Sequence, residues 1–436
     1  LIARELGRSM GNEKVTLTEI IALLLSLAAP LWWSELGTSF FSSTTAPFVL
    51  GGLYLLLRSS SEGGMSGSLI VGAGALFGLA VGLKLTNAPY AVVGVLPVIF
   101  LSWRGGYRAI LWYLSLYILG GIAGFLPTSW WNWYLWSEWQ SPIFPFYNEI
   151  FKSPYFPERN WRDHRWLFDS ATEVVKFLSE SALGTTKSSE LLFADARLLT
   201  TAVLLPLTVF LRLFRAIGRT QVTFLLFFFF SFTLWVIMFA YQRYLIPIEL
   251  LFGFVIWIFV TRLISDQLAR FMVMALVLLI CTYFIKVPDW GHLKAEIGTS
   301  SALKIEADSR ILDQPARYLV GSAPVSYILP SLHPDSRFYG LHTWAKTREI
   351  IKQALKEEST LPVRILIQSK DSEKMLEWLA PYDITPESHV IKCSSLSTNV
   401  NVKNYLVCHL ATRVHNEQSS VVKVKSTPCY PNINRC

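Results

Sequence analysis

Four ionisable side chains stand inside or directly against apolar runs. Glu35 lies in WWSELGTS, Lys84 in GLAVGLKLTNAPY, Arg243 in AYQRYLIPIELL, and Glu249 six residues beyond Arg243. A charge at membrane depth is costly and is kept where it pairs, lines a water-filled cavity or binds something. Two cations and two carboxylates at one depth would suit a charged lipid headgroup, the cations taking its phosphate. The plainer alternative is that Lys84 and Arg243 snorkel to lipid phosphates and that Glu249 is paired structurally.

A second group lies in a long aromatic segment, WWNWYLWSEWQSPIFPFYNEIFKSPYFPERNWRDHRW. It supplies Asn148, Glu149, Lys152, Asp163, His164 and Arg165. Asp163 and His164 could act as an acid/base pair or as metal ligands. Lys152 and Arg165 could bind phosphate, or could face anionic lipid from a solvated loop. Asn148 completes the set of candidate binding residues. No CxxC, GxSxG or Gly-rich phosphate loop occurs. Zinc, redox and serine-hydrolase readings therefore have no motif behind them.

The elements that must position these residues are membrane helices. Of 436 residues 52% are hydrophobic and only 16% charged, against roughly 25% charged in soluble proteins. A bilayer core needs about 20 apolar residues per helix. Segments 17–34, 40–57, 67–86, 88–102, 109–129, 196–211, 221–240, 244–261 and 271–287 meet that description, giving about nine transmembrane helices. Thr16 and Glu19 predict a capping box at the first. Asn87-Ala88-Pro89 marks either a tight turn between two helices or a broken hairpin. With the N-terminus in the cytoplasm, the inside loops carry Arg4, Arg8, Lys14, Arg58, Arg104, Arg108, Arg212, Arg215, Arg219, Arg262 and Arg270. The outside turns carry only Lys84 and Arg243. This bias puts loop 130–195 and everything after 288 outside. The expected place is a bacterial inner membrane, multi-pass, with a periplasmic or extracellular C-terminal domain. The net charge of +8 follows from the basic loops, and no nucleic-acid partner is expected.

From about residue 300 the pattern changes. ARYLVG, VRILIQS, SHVIKC and NYLVCHL have strand composition, while 344–357 and 371–380 have helical composition. The expected organisation is a transmembrane domain over 1–290, a small soluble α/β domain over 291–412, and an irregular tail over 413–436. Cys393 ends one strand-like run and Cys408 sits in another, and the two are expected to form a disulfide, which an outside location permits. Cys281, in an apolar run, is expected to be a buried small hydrophobe.

Taken together, SELGTSFFSSTTAPFVLGGLYLLL (34–57), GALFGLAVGLKLTNAPYA (74–91), SPIFPFYNEIFKSPYFP (141–157) and QRYLIPIELL (242–251) resemble the GT-C superfamily of membrane glycosyltransferases. The resemblance is to its RgtA/B/C/D-like and protein-mannosyltransferase-like bacterial members, over roughly 1–290. It implies a sugar on a polyprenyl phosphate, transferred to a periplasmic glycan, lipid or protein. It implies that Lys84 and Arg243, followed by Tyr244, face the donor phosphate. Lys84, Arg243 and Glu249 are expected to line one outward-facing cavity, Glu249 limiting repulsion between the two cations. A carboxylate would deprotonate the acceptor hydroxyl. Cations, or a divalent ion such as Mg or Mn, would stabilise the leaving phosphate. Such proteins place the main catalytic acid in a first outside loop, so it is expected upstream of Leu1. Residues 1–16 accordingly read as a loop or short surface helix cut from something longer. Glu35 and Asp163 are the candidate bases here, and Glu138, Glu149, Glu158 and Asp169 are the other carboxylates near membrane depth. A lipid-linked glycan transporter or flippase, and an O-antigen polymerase or ligase, are the alternative readings.

Overall fold

The computed structural model describes the chain except residues 62–64, 161–162, 211–216, 291–302, 324, 342–344, 357–360, 386–388, 400–403 and 413–436. The expected irregular tail therefore lies outside the described residues. The chain divides into two compact units, Leu1–His292 and Leu293–Cys436.

The first unit is helical. It opens with α1 (Ile2–Ser9), α2 (Leu17–Leu27), α3 (Pro30–Glu35), α4 (Ser42–Ser61), α5 (Gly67–Leu83), α6 (Ala88–Ser102), α7 (Gly106–Phe125) and α8 (Ser129–Trp139). After the short α9 (Asn148–Phe151) and α10 (Ala171–Glu180) come α11 (Ala196–Phe210), α12 (Arg219–Met238), α13 (Ile246–Glu249), α14 (Phe252–Leu263) and α15 (Gln267–Phe284). Residues Phe252–Val260 of α14 are buried on every side. The lone free cysteine among the described residues, Cys281, is fully buried on α15. The outer helices instead expose apolar rows: Leu111, Ile118 and Ile122 on α7, and Leu268, Met272, Leu276 and Leu279 on α15. Such rows have no place in water and suit lipid.

The expectation of nine transmembrane helices is not upheld. Among the described residues three helical stretches are long and apolar enough to cross a membrane: Leu85–Trp139, Arg219–Met238 and Gln267–Phe284. A fourth results if Gln242–Glu249 and Phe252–Leu263, bent by 48°, form one span. The shortfall has local causes. Pro30 lacks the amide a helix interior needs, so segment 17–34 breaks into α2 and α3. Helix α4 is long enough, but Ser42, Ser43, Thr44 and Thr45 at one end and Ser59, Ser60 and Ser61 at the other dilute its apolar middle. The α6 and α7 segments run into one helical stretch through short 3-10 turns, ending the ambiguity at Asn87 as a tight turn, Leu85–Asn87. The capping box is half formed. Thr16 Oγ1 accepts from the Glu19 amide at 3.2 Å, but the Glu19 carboxylate meets Arg4 at 3.5 Å. Residues 2–9 are less peripheral than expected, since Leu6 is fully buried.

Helices α5 and α7 pack through small residues. A Cβ at Gly78 would lie 2.0 Å from the Gly121 carbonyl oxygen, and one at Gly124 would lie 1.9 Å from that of Ala75. Four-residue spacing of Gly74, Gly78 and Gly82 lets two backbones touch, the usual way helices associate without a hydrophobic drive.

The second unit is built on a six-stranded mixed sheet, with β1 (Ile305–Ala307), β2 (Arg317–Val320), β3 (Arg337–Gly340), β4 (Val363–Gln368), β5 (His389–Thr398) and β6 (Tyr405–Thr412) in the order β1-β5-β6-β4-β2-β3. Strand β2 pairs in parallel with β3 and β4, and the other pairings are antiparallel. Helices α16 (Ser309–Leu312), α17 (Ala345–Lys356) and α18 (Met375–Leu379) complete it. Cys393 and Cys408 face one another in the β5–β6 ladder and are joined as a disulfide.

The contact between α5 and α7 generates a paired test. Gly124→Ala should destabilise the detergent-solubilised protein by about 1–3 kcal/mol through overpacking. Gly121→Ala should be near neutral, because its Cβ would find nothing closer than 3.8 Å. Equal thermal shifts for the two variants would refute the close approach.

Candidate functional site

Lys84 ends α5 in an extended conformation, its chain broken from α6 by the 3-10 turn that follows. Its ammonium donates to the Phe40 carbonyl at 2.7 Å and to the Ser42 hydroxyl, and lies 5.3 Å from the centre of the Tyr244 ring. Arg243 sits in the 3-10 turn Gln242–Leu245 between α12 and α13. Its guanidinium lies 3.7 Å from the Phe40 ring, 4.6 Å from Tyr241 and 5.4 Å from Trp290. The two cations thus meet across Phe40, one holding its carbonyl and the other its ring. Packing on aromatic faces partly replaces lost hydration. Arg243 Nε is buried without a hydrogen-bond partner.

Two carboxylates balance these cations. Glu35, at the end of α3, is buried. One of its oxygens accepts from the Ser43 amide at 3.2 Å, and the other, Oε1, has no partner. Its charge is felt by both Lys84 and Arg243. Glu190 is more open, 3.6 Å from Arg243 and accepting from the Tyr241 hydroxyl. Tyr241 stacks on Trp166 with ring centres 5.0 Å apart, and the Tyr90 hydroxyl donates to the Tyr244 carbonyl. Sequence alone offered no reason to single out Glu190, Phe40, Trp166 or Trp290. They are ordinary residues made significant by the chain's return.

Glu249 does not join this group. It is buried, and its two oxygens accept the amides of Leu31 and Trp32, each at 3.0 Å. These amides open α3, just behind Pro30, so the carboxylate caps a helix N-terminus. It also faces Arg197 at 3.4 Å. The Arg197 guanidinium is wholly buried. It makes a two-point contact with Asp195 at 2.6 and 2.8 Å, and donates to the carbonyls of Leu25 and Ser26 at 2.8 and 3.1 Å. The role of easing repulsion between Lys84 and Arg243 falls by position to Glu35 and Glu190. Arg197 was overlooked, although the rule that singled out Glu249 applies equally to an arginine at the head of segment 196–211.

The long segment's candidates are spread out. Asn148 is fully buried. It donates to the carbonyls of Ser153, Phe156 and Pro157 and accepts from the Ser153 amide at 2.7 Å. It ties a loop together from a fully buried position. Lys152 is exposed, at the end of α9. Asp163 is engaged by Arg165 at 2.6 and 2.9 Å and by the Trp166 indole at 3.1 Å. The hydrogen bond from Arg165 holds its carboxyl below the usual carboxylate range, which weakens it as a base. It orients Trp166, and through Trp166 touches the Tyr241–Arg243 group. His164 is exposed beside it. Among the described residues no three His, Cys, Asp or Glu side chains are grouped to hold a metal ion. Glu149 bonds Asn160 at 2.8 Å.

The fold and site define a helical membrane protein with a half-buried, charge-balanced cation pair and a separate α/β unit. No protein-family model, curated protein or solved structure matches the chain.

Arg197→Met should destabilise the protein by about 3–5 kcal/mol, since it strands Asp195 and Glu249 in the core. The triple variant Asp195→Asn, Arg197→Met, Glu249→Gln should recover part of that loss. Thermal unfolding in detergent that shows no recovery would mean that packing, not charge, sets the cost.

Proposed function

We propose that the chain is a glycosyltransferase that takes a sugar from a polyprenyl-phosphate donor and passes it to a glycan, lipid or protein hydroxyl on the outer face of the membrane. The observation that carries this reading is the meeting of Lys84 and Arg243 across Phe40, flanked by Tyr244 and by two carboxylates. The sequence resemblance to GT-C enzymes points to the same two cations.

Lys84 and Arg243 stand against Glu35 and Glu190. A donor phosphate enters by displacing Glu190. That carboxylate is partly exposed and held to Arg243 only at 3.6 Å, a contact of roughly 0–1 kcal/mol. Phosphate offers Arg243 a two-point, charge-assisted partner in its place. In transfer, the acceptor oxygen bonds the anomeric carbon while the bond from that carbon to the phosphate oxygen breaks. The bonding pair leaves with the phosphate, where Lys84 and Arg243 stabilise the added charge. The acceptor's proton passes to a carboxylate, and Glu35 Oε1 is the oxygen beside the pair that holds no bond. Asp163 is the weaker base, because its oxygens are taken. The disulfide of the second unit agrees with an oxidising compartment outside the cytoplasm.

Arg243→Ala should weaken photo-crosslinking of an undecaprenyl-phosphate sugar probe by about 10–100-fold, the worth of a charged hydrogen bond, and leave the melting temperature within a few degrees. Glu190→Gln should strengthen it. If Arg243→Ala unfolds the protein as much as it blocks the probe, or Glu190→Gln weakens capture, the phosphate reading fails.

Sidedness is checked separately. Single cysteines at the exposed Ser170 and Ser331 should react with a membrane-impermeant thiol reagent in intact spheroplasts. Labelling of either position only after lysis would reverse the orientation.

A further inference from the structure

A polar opening lies at the end of the helical unit away from Lys84 and Arg243. It has a volume of about 270 Å³, and its lining includes Thr18, Trp257, Thr261, Ser265, Gln267 and Arg270. Three helices run to it from the buried Arg197 cluster, to which Glu249, one short helix from Arg243, belongs. Helix α2 meets Arg197 at its far end, through the Leu25 and Ser26 carbonyls, and lines the opening at its start. Helix α14 has the Phe252 ring 5.9 Å from the Arg197 guanidinium and reaches the opening at Thr261. Helix α15 places Cys281 beside Thr200 of α11 at 3.9 Å and begins at Gln267. Its 18 residues span about 27 Å, close to the thickness of a bilayer's hydrocarbon core. The opening therefore sits at headgroup level in the leaflet opposite Lys84 and Arg243.

Its lining is rich in donors and, among the described residues, holds no carboxylate. Trp257 is only 1% exposed, and its indole N–H meets no acceptor among the described residues. Thr261 Oγ1 is likewise buried without a hydrogen-bond partner. Arg270 is the one ionised side chain among the described lining residues. It spends Nε and Nη2 on the Ile264 and Ser265 carbonyls at 3.0–3.2 Å, and Nη1 remains. Helices α2 and α15 both begin at the opening. The first amides of a helix have no acceptor within it and carry partial positive charge. Of the acidic residues at those two starts, Glu19 is held by Arg4 at 3.5 Å and Asp266 by the Ala269 amide at 2.7 Å. Directly beside Gln267 begins the exposed apolar row of α15, Leu268, Met272, Leu276 and Leu279.

We propose that this opening binds the headgroup of an anionic phospholipid whose part beyond the phosphate is an uncharged polyol, with its acyl chains along the apolar row of α15. The phosphodiester oxygens accept from Arg270 Nη1, a charge-assisted bond, and from the Trp257 indole, whose N–H costs free energy while it is buried and unpaired. Asn12, Thr16, Ser265 and Gln267, which also line the opening, offer hydroxyl and amide groups to the polyol. A headgroup ending in an ammonium would find no carboxylate among the described lining residues. The proposal needs only that α15 crosses a bilayer, and it is independent of what binds at Lys84 and Arg243.

The test is native mass spectrometry of the full chain released from nanodiscs of phosphatidylglycerol, phosphatidylethanolamine and phosphatidylcholine. The wild type should retain phosphatidylglycerol about tenfold over either of the others. Arg270→Gln should cut that retention about tenfold, and Trp257→Phe, which removes the N–H and keeps a ring, about threefold. Phosphatidylcholine should be unchanged in both. Arg104→Gln removes an exposed charge from the turn Trp103–Gly105, outside the opening, and should match the wild type. Melting temperature in lipid-free detergent identifies a variant that has lost its fold; wild-type selectivity and the other variant then decide. Equal retention of the three lipids by the wild type, or unchanged retention in folded Arg270→Gln or Trp257→Phe, would overturn the proposal. So would an equal loss in Arg104→Gln and Arg270→Gln, which would mean attraction by surface charge at large. Displacement of the lipid by millimolar inorganic phosphate would also overturn it, because the site would then recognise free phosphate and not a lipid.

Discussion

Everything else in the helical unit hangs on one buried contact, that of Arg197 with Asp195 and Glu249. An arginine without water is tolerable only if each of its donors is met. Here Asp195 takes two, the carbonyls of Leu25 and Ser26 take a third group, and Glu249 faces the remainder. The partners come from the end of α2, the start of α11 and the end of α13, and Glu249 also holds the first amides of α3. The break at Pro30 leaves carbonyls on one side and amides on the other without helical partners, and the cluster satisfies both. Proline makes the break, and the ions make it permissible inside a bilayer-facing bundle.

That break sets the site. Helix α3 has only six residues, so fixing its first turn fixes its last, and its last residue is Glu35. From there the chain doubles back through Gly37 and Phe41, both at positive φ. The turn presents the Phe40 carbonyl to Lys84 and the Phe40 ring to Arg243. Helix α13 carries the same logic from the other direction, because Glu249 and Arg243 are separated by one short helical turn. The carboxylate buried in the cluster and the arginine open to the site are therefore positioned by a single rigid piece of backbone. A defect in the cluster would reach the cation pair through both α3 and α13.

Much of this was legible in the sequence, but unevenly. The four strand-like runs of the C-terminal unit are all strands, because branched apolar residues speak locally; β1 has only three residues, and β3, RFYG, has no branched apolar residue. The Cys393–Cys408 pairing follows from two strands meeting in register. Lys84 and Arg243 were legible because charges in apolar runs are conspicuous. Their partner was misassigned because depth was taken for proximity: Glu249 shares a level with Arg243 but points across α13 toward Arg197. The count of spans failed for a related reason. Hydropathy measures what a segment could do alone, while Pro30, the hydroxyl-rich ends of α4 and the near-continuous run from Leu85 to Trp139 are settled by neighbours. Asn148 looked like a ligand and proved to be a knot, since an amide in a proline-rich loop serves the backbone before anything else.

The helical unit deals with buried or membrane-level charge in two ways. At Arg197 every charge has its opposite and no donor faces outward; such a cluster can only hold structure. Lys84 and Arg243 are matched in number by Glu35 and Glu190 but not in geometry, with Arg243 Nε and Glu35 Oε1 both left without hydrogen-bond partners. A buried polar atom without a partner costs about 1–3 kcal/mol, so an arrangement that keeps two of them is held in place by the rest of the fold rather than by itself. Full pairing at Arg197 supplies that support, because it fixes α3, from which Glu35 projects, and α13, which follows directly on the turn that carries Arg243.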